Sequence, residues 1–154
     1  MNIATICFPI RNGEVYLAEK KDGFGIGFLN GYGGKMDEGD VNIEAAAMRE
    51  IQEESGVLIR AEDLEKVAIL DFINGETHKF ECHVYIFRKW EGEFVETEEM
   101  KKAEPFSLSE LPFERMFPAD RKWIPLVLGG EKIRAVCHLS EDLKEGYKCE
   151  YRAL

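Results

Sequence analysis

The pattern of apolar and polar positions changes period along the chain, and each change marks an element. Asn2–Ile10 is rich in strand formers, Asn12-Gly13 is a strong two-residue turn signal, and Glu14–Glu19 alternates again, so the chain opens on a hairpin. Gly-rich turns follow between Gly23 and Gly34. Asn42–Ser55 then reads as a helix: Asn42 can cap its N-terminus, Ala and Glu favour its body, and Gly56 stops it. Val67–Ile73 and His78–Phe87 form a second hairpin around Asn74-Gly75. In its second strand Phe80, Cys82, Val84 and Ile86 share one face, which predicts core. Glu91-Gly92 marks a further turn and Ala103–Leu108 a short strand. Pro118–Leu128 reads as a helix ending at Gly129-Gly130. Lys132–Leu139 and Tyr147–Tyr151 make a last strand pair. The expectation is a single α+β domain over residues 1–154, strand-heavy, with two helices.

Composition narrows the function classes. The chain has 154 residues, 45% hydrophobic, enough for one core. Its 30 Asp and Glu against 20 Lys and Arg give a net charge of −10, which argues against nucleic acid as partner. The N-terminus lacks a signal-peptide pattern, and no apolar run approaches the roughly 20 residues of a membrane helix. The expected location is therefore cytoplasmic. Cys7, Cys82, Cys137 and Cys149 are widely spaced without a CxxC pair, so they are expected to be reduced thiols rather than zinc ligands.

The chemistry concentrates in Arg49-Glu50-Ile51-Gln52-Glu53-Glu54-Ser55-Gly56-Val57. Glu50, Glu53 and Glu54 fall at i, i+3 and i+4 of the predicted helix, on one side. Like charges at this spacing cost an isolated helix a few tenths of a kcal/mol per pair. A solvated acidic face is the plain explanation; clustered oxygen ligands for Mg²⁺ or Mn²⁺ are the other. Gly33-Gly34-Lys35 upstream offers a tight loop that could bring a backbone carbonyl to the same ion.

The run Gly34–Val57 resembles the Nudix box: Gly, five residues, Glu, seven residues, then Arg-Glu-apolar-x-Glu-Glu-x-Gly-apolar. The resemblance implies a Nudix α/β/α sandwich around a mixed sheet. It implies a metal site on Glu50, Glu53, Glu54 and the Gly33 carbonyl, with Mg²⁺ as cofactor or Mn²⁺ in its place. Arg49 would orient a glutamate by a salt bridge. Two departures stand out. Asp40 replaces the family's first glutamate, and eight residues instead of seven separate it from Arg49, with Val41-Asn42 the natural place for the insertion.

Within the Nudix family the chain is most similar to the mammalian-type MutT homologues, which hydrolyse oxidised purine nucleoside triphosphates such as 8-oxo-dGTP. The segments Lys20–Gly25, Leu29–Lys35, Glu96–Met100 and Leu111–Asp120 carry this likeness. It implies nucleotide contacts at Thr5, Lys20 and Asn30, a substrate loop at Tyr32, Gly33, Gly34 and Lys35, and pocket walls at Phe24, Phe72 and Met100. Phe117 would stack on the base, Asp120 would read its edge, and Glu99 would be a further carboxylate, as ligand or base. Each has a plainer alternative: Asn30 a turn residue, Lys20 a surface charge, Phe72 and Phe117 core aromatics, Asp120 a first-turn helix carboxylate, Glu99 part of a solvated acidic run.

The implied reaction is attack of water on phosphorus, releasing a nucleoside monophosphate and pyrophosphate, with Glu53, Glu54 or Glu99 as base. An ionised Asp120 can accept both donors of a guanine edge, whereas adenine presents an acceptor at N1. The mammalian-type enzymes have two adjacent aspartates and a tryptophan here; this chain has Ala119 and Phe117, which predicts narrowing toward guanine-type edges. Rival readings are a Nudix hydrolase of another nucleotide (an ordinary dNTP, an ADP-ribose-like dinucleotide, a methylated purine nucleotide) and an inert nucleotide-binding module. The expected partner is a small nucleotide, and the expected state a monomer.

Overall fold

The computed structural model describes residues 2–23, 25–74, 77–139 and 146–154. The opening hairpin forms from β1 (Ile3–Arg11) and β2 (Glu14–Glu19), with Asn12 and Gly13 at φ of 55° and 75°, the turn that matches strand twist. A short β3 (Leu29–Asn30) pairs antiparallel with β2. The first helix, α1 (Ile43–Ser55), begins where the Asn42 side chain accepts from the Ala45 amide at 2.8 Å, and ends at Gly56 in the left-handed region.

The second hairpin is β4 (Glu65–Asn74) with β5 (Thr77–Phe87), longer than its apolar pattern indicates; Gly75 in its turn lies outside the described residues. Then follow β6 (Glu104–Ser107), α2 (Asp120–Leu128), β7 (Ile133–Leu139) and β8 (Gly146–Ala153). The sheet runs β3-β2-β1-β5-β4-β7-β8, with β6 added on β2. The pairs β1–β5 and β4–β7 are parallel and the others antiparallel, so the sheet is mixed.

Both faces of the central strands are buried, because each face carries a helix. Phe8, Val84, Ile86, Trp123, Ile124 and Val127 join one core beneath α2. Cys7, Tyr85, Phe87, Ala47 and Ile51 join the other beneath α1. Alternation sends Phe8 and Cys7, or Ile86 and Tyr85, to opposite layers. The predicted core face Phe80, Cys82, Val84, Ile86 lies on the α2 side. The result is the expected α/β/α sandwich around a mixed sheet.

The expectation for the cysteines fails in part. Cys137 and Cys149 are not free thiols but form a disulfide. They stand directly opposite across the β7–β8 ladder, with Cα atoms 4.1 Å apart. Their separation of 12 residues gave no sign of this, because the pairing depends on strand register. Cys7 and Cys82 are free and buried, as expected.

Candidate active site

Between the sheet and α2 lies a cavity of about 460 Å³. Its two ends differ in chemistry. At one end, α1 delivers Glu50 and Glu54, and the loop before β6 delivers Glu99. One oxygen from each lies within 4.8 Å of the others, so the group could hold a metal ion. Glu54 is only 2% exposed. Burial pushes its pKa up to about 8, opposed by the Gly33 amide and reinforced by Glu99. Glu50 is raised too, chiefly by burial, with Arg49 opposing.

The Gly33-Gly34 loop reaches this cluster only because neither residue has a Cβ. The Gly33 amide donates to Glu54 Oε1 at 2.8 Å while its own backbone packs against Thr5; a Cβ on Gly33 would sit 1.9 Å from the Thr5 carbonyl oxygen. A Cβ on Gly34 would stand 2.7 Å from the Glu50 carboxyl carbon.

Arg49 ties the loop to the helix. Its Nε and Nη2 donate to both oxygens of Asp40 at 3.0 Å, Nη1 donates to Glu50 at 2.9 Å and Glu53 at 3.3 Å, and Nη2 also reaches the Lys35 carbonyl at 3.2 Å. This guanidinium holds the Asp40 carboxyl below its ordinary range. The shorter aspartate therefore still makes a bidentate pair. The extra residue is absorbed before the helix, where Val41 is exposed and Asn42 is the cap.

Not every expected ligand joins the cluster. Glu53 is exposed and paired with Arg49, apart from the Glu50–Glu54–Glu99 group. On an α-helix it stands about 100° from Glu54, and Glu54 is the one aimed inward. Tyr32 is not at the cavity wall. It pairs with Cys7 through backbone bonds of 2.6 and 2.9 Å, which turns its ring into the core beneath α1 against Phe94.

The other end is largely apolar, with Asn2, Asn30 and Asp120 as its polar side chains. Phe72, Phe80, Cys82, Met100, Phe117, Ala119 and Trp123 line the cavity with Asn30 and Asp120. Asn30 Oδ1 accepts from the Gly31 amide at 2.8 Å, which leaves its NH₂ as the group it can offer. Asp120 is 6% exposed, and burial pushes its pKa up to about 7 against the backbone of Phe117 and the indole of Trp123. Phe117 lies against Phe28, ring centres 4.6 Å apart.

Thr5, Lys20, Gly33, Gly34 and Lys35 also line the cavity. Phe24 lies outside the described residues. Sequence reasoning missed Phe80, Cys82 and Trp123 as cavity residues. The signal was there: Phe80 and Cys82 sit opposite Phe72 and Leu70 in the hairpin, and Trp123 is one helical turn from Asp120.

Among the described residues no helix is long and apolar enough to cross a membrane. Residues 1–127 match the family model described as NUDIX domain. The chain is 38% identical over 127 residues to the oxidized purine nucleoside triphosphate hydrolase of Danio rerio, covering 82% of this chain and 79% of that protein. It is 36% identical over 129 residues to the same-named protein of Mus musculus, covering 83% and 80%. The crystal structure of a MutT protein from Bacillus halodurans superposes with a TM-score of 0.79 at 22% identity, over 98% of this chain and 97% of that one. A family match across most of the chain, a sandwich fold and an inward-facing glutamate cluster agree: this protein belongs to the Nudix family and is a Nudix hydrolase.

Proposed function

We propose that the protein is a Mg²⁺-dependent hydrolase of oxidised purine nucleoside triphosphates such as 8-oxo-dGTP, yielding the nucleoside monophosphate and pyrophosphate. The observation that carries this reading is the two-ended cavity, with an oxygen cluster at one end and a largely apolar slot that contains Asn30 and Asp120 at the other. The names of the curated relatives point the same way.

The all-oxygen donor set suits a hard divalent cation, Mg²⁺ or Mn²⁺. Glu50, Glu54 and Glu99 would hold it, helped by the Gly33 carbonyl, with Glu53 beside them on Arg49. A cation there supplies charge neutralisation and Lewis acidity toward the polyphosphate. Lys20 and Lys35 bring positive charge to the phosphates along the cavity. Glu53, Glu54 and Glu99 remain the candidates for accepting a proton from the attacking water, and Arg49 fixes the helix–loop geometry. At the far end Phe117 stacks on the base, and Phe72 and Met100 wall it. The Asn30 NH₂ donates to a base carbonyl, while Asp120 accepts from ring and exocyclic N–H groups. That donor–acceptor order complements a guanine-type edge, and Ala119 supplies no second carboxylate. Strands from Ile3 to Ala153 share one sheet, which supports residues 1–154 working as one domain.

The test is phosphate release from a nucleotide panel, with pyrophosphatase, with and without Mg²⁺. The expected result is Mg²⁺-dependent turnover highest on 8-oxo-dGTP and much lower on 8-oxo-dATP. Preference for an ordinary dNTP, a methylated purine nucleotide or ADP-ribose would replace the substrate assignment, and no release from any would indicate a binding module.

A further inference from the structure

Asp120 and Trp123 are three residues apart on α2 and face the same cavity. The Trp123 ring is 1% exposed and packs on Phe8, ring centres 6.1 Å apart. Its Nε1 has no partner in hydrogen-bond geometry, and neither does Asp120 Oδ2. Two complementary buried orphans on one helical turn are costly unless they serve each other or a ligand. The indole already favours the ionised carboxyl, though it stops short of full hydrogen-bond geometry.

We propose that Trp123 is a specificity-determining positioning residue: its indole N–H holds the Asp120 carboxylate ionised and aimed as an acceptor, matching the two-donor edge of a guanine-type base. This rests on the base-reading role given to Asp120 above. The physical case is one of scarcity. Among the described residues no cation pairs with Asp120. The titratable groups lining the cavity are Cys82 on β5, Lys20 after β2, Lys35 after β3 and Glu54 on α1; β1 and β4 contribute none there, and Arg121 and Lys122 of α2 itself are exposed. Cys82 is buried, its thiol pKa pushed up, and offers Asp120 no positive charge. Beyond the backbone of Phe117, the unpartnered indole N–H one helical turn away is the donor available to oppose protonation of this carboxyl in an apolar wall.

The test compares wild type with Trp123→Phe, which deletes the donor and keeps an aromatic ring. The pH midpoint of the Asp120 carboxyl, read by ¹³C NMR in metal-free protein and assigned with Asp120→Asn, should rise by about one pH unit. The ratio of variant to wild-type KM for 8-oxo-dGTP should be about five at pH 7 and return toward one at pH 9, where the carboxyl is ionised in both. Packing loss alone would raise KM equally at both pH values. An unchanged midpoint would overturn the proposal. Should Trp123→Phe fail to fold, benzothienylalanine placed at position 123, with sulfur in place of the N–H, gives the same readout at constant shape. If wild type does not hydrolyse 8-oxo-dGTP, the substrate assignment fails while the NMR midpoint still decides the Trp123–Asp120 link.

Discussion

The cavity has a buried carboxyl at each end, and the two are raised for the same first reason and relieved in different ways. Glu54 and Asp120 are both pushed up by burial, to about 8 and about 7. Glu54 stands among other acids, with Glu50 and Glu99 within reach of a shared ion, so positive charge relieves it. Asp120 stands alone among aromatics, so N–H donors relieve it. A buried charge left short of partners thus indicates what a ligand must bring: a cation at one end, a donor edge at the other.

The largest expected effect separates the ends directly. Glu54→Gln should lower kcat on the preferred nucleotide at least about a hundredfold. Binding of the monophosphate product, measured by calorimetry, should stay within twofold. A variant with near-normal turnover would remove Glu54 from the chemistry.

Asp120→Asn should do the reverse. The amide keeps one acceptor and turns a donor toward donors, so KM for 8-oxo-dGTP should rise about 10- to 100-fold with kcat little changed. The same variant has a stability signature. Because the folded value of about 7 lies above the ordinary aspartate value of 3.8, the folded protein holds this proton more tightly than the unfolded chain. Its contribution to stability is fully present below pH 3.8 and is lost as pH rises to about 7. The gain of Asp120→Asn over wild type should therefore grow across that window, toward a few kcal/mol, in denaturant titrations. A pH-independent difference would contradict the buried, donor-poor setting of Asp120.

The smallest effect on activity should come from outside both ends. Reducing Cys137–Cys149 should lower the melting temperature by roughly 5–10 °C, as expected for opening a short loop. Turnover should stay within twofold, since neither cysteine lines the cavity. A large loss of turnover would mean that β7 and β8 shape the base end.

Local signals determined much of this protein. The Asn42 cap, the Gly56 stop and the spacing of Glu50, Glu53 and Glu54 are written within a few residues of one another, and helix geometry does the rest. The Asn12-Gly13 turn and the alternation in β5 are equally local. Tertiary structure alone decided which acids meet, because Glu99 arrives from a distant loop and only the inward rotation of α1 ranks Glu54 above Glu53. It decided that Tyr32 turns to the core, through its bridge to Cys7, and that Cys137 faces Cys149, through ladder register. Spacing along one element fixes which side chains share a face; which face of another element they meet depends on packing across the sheet, and no local pattern carries that.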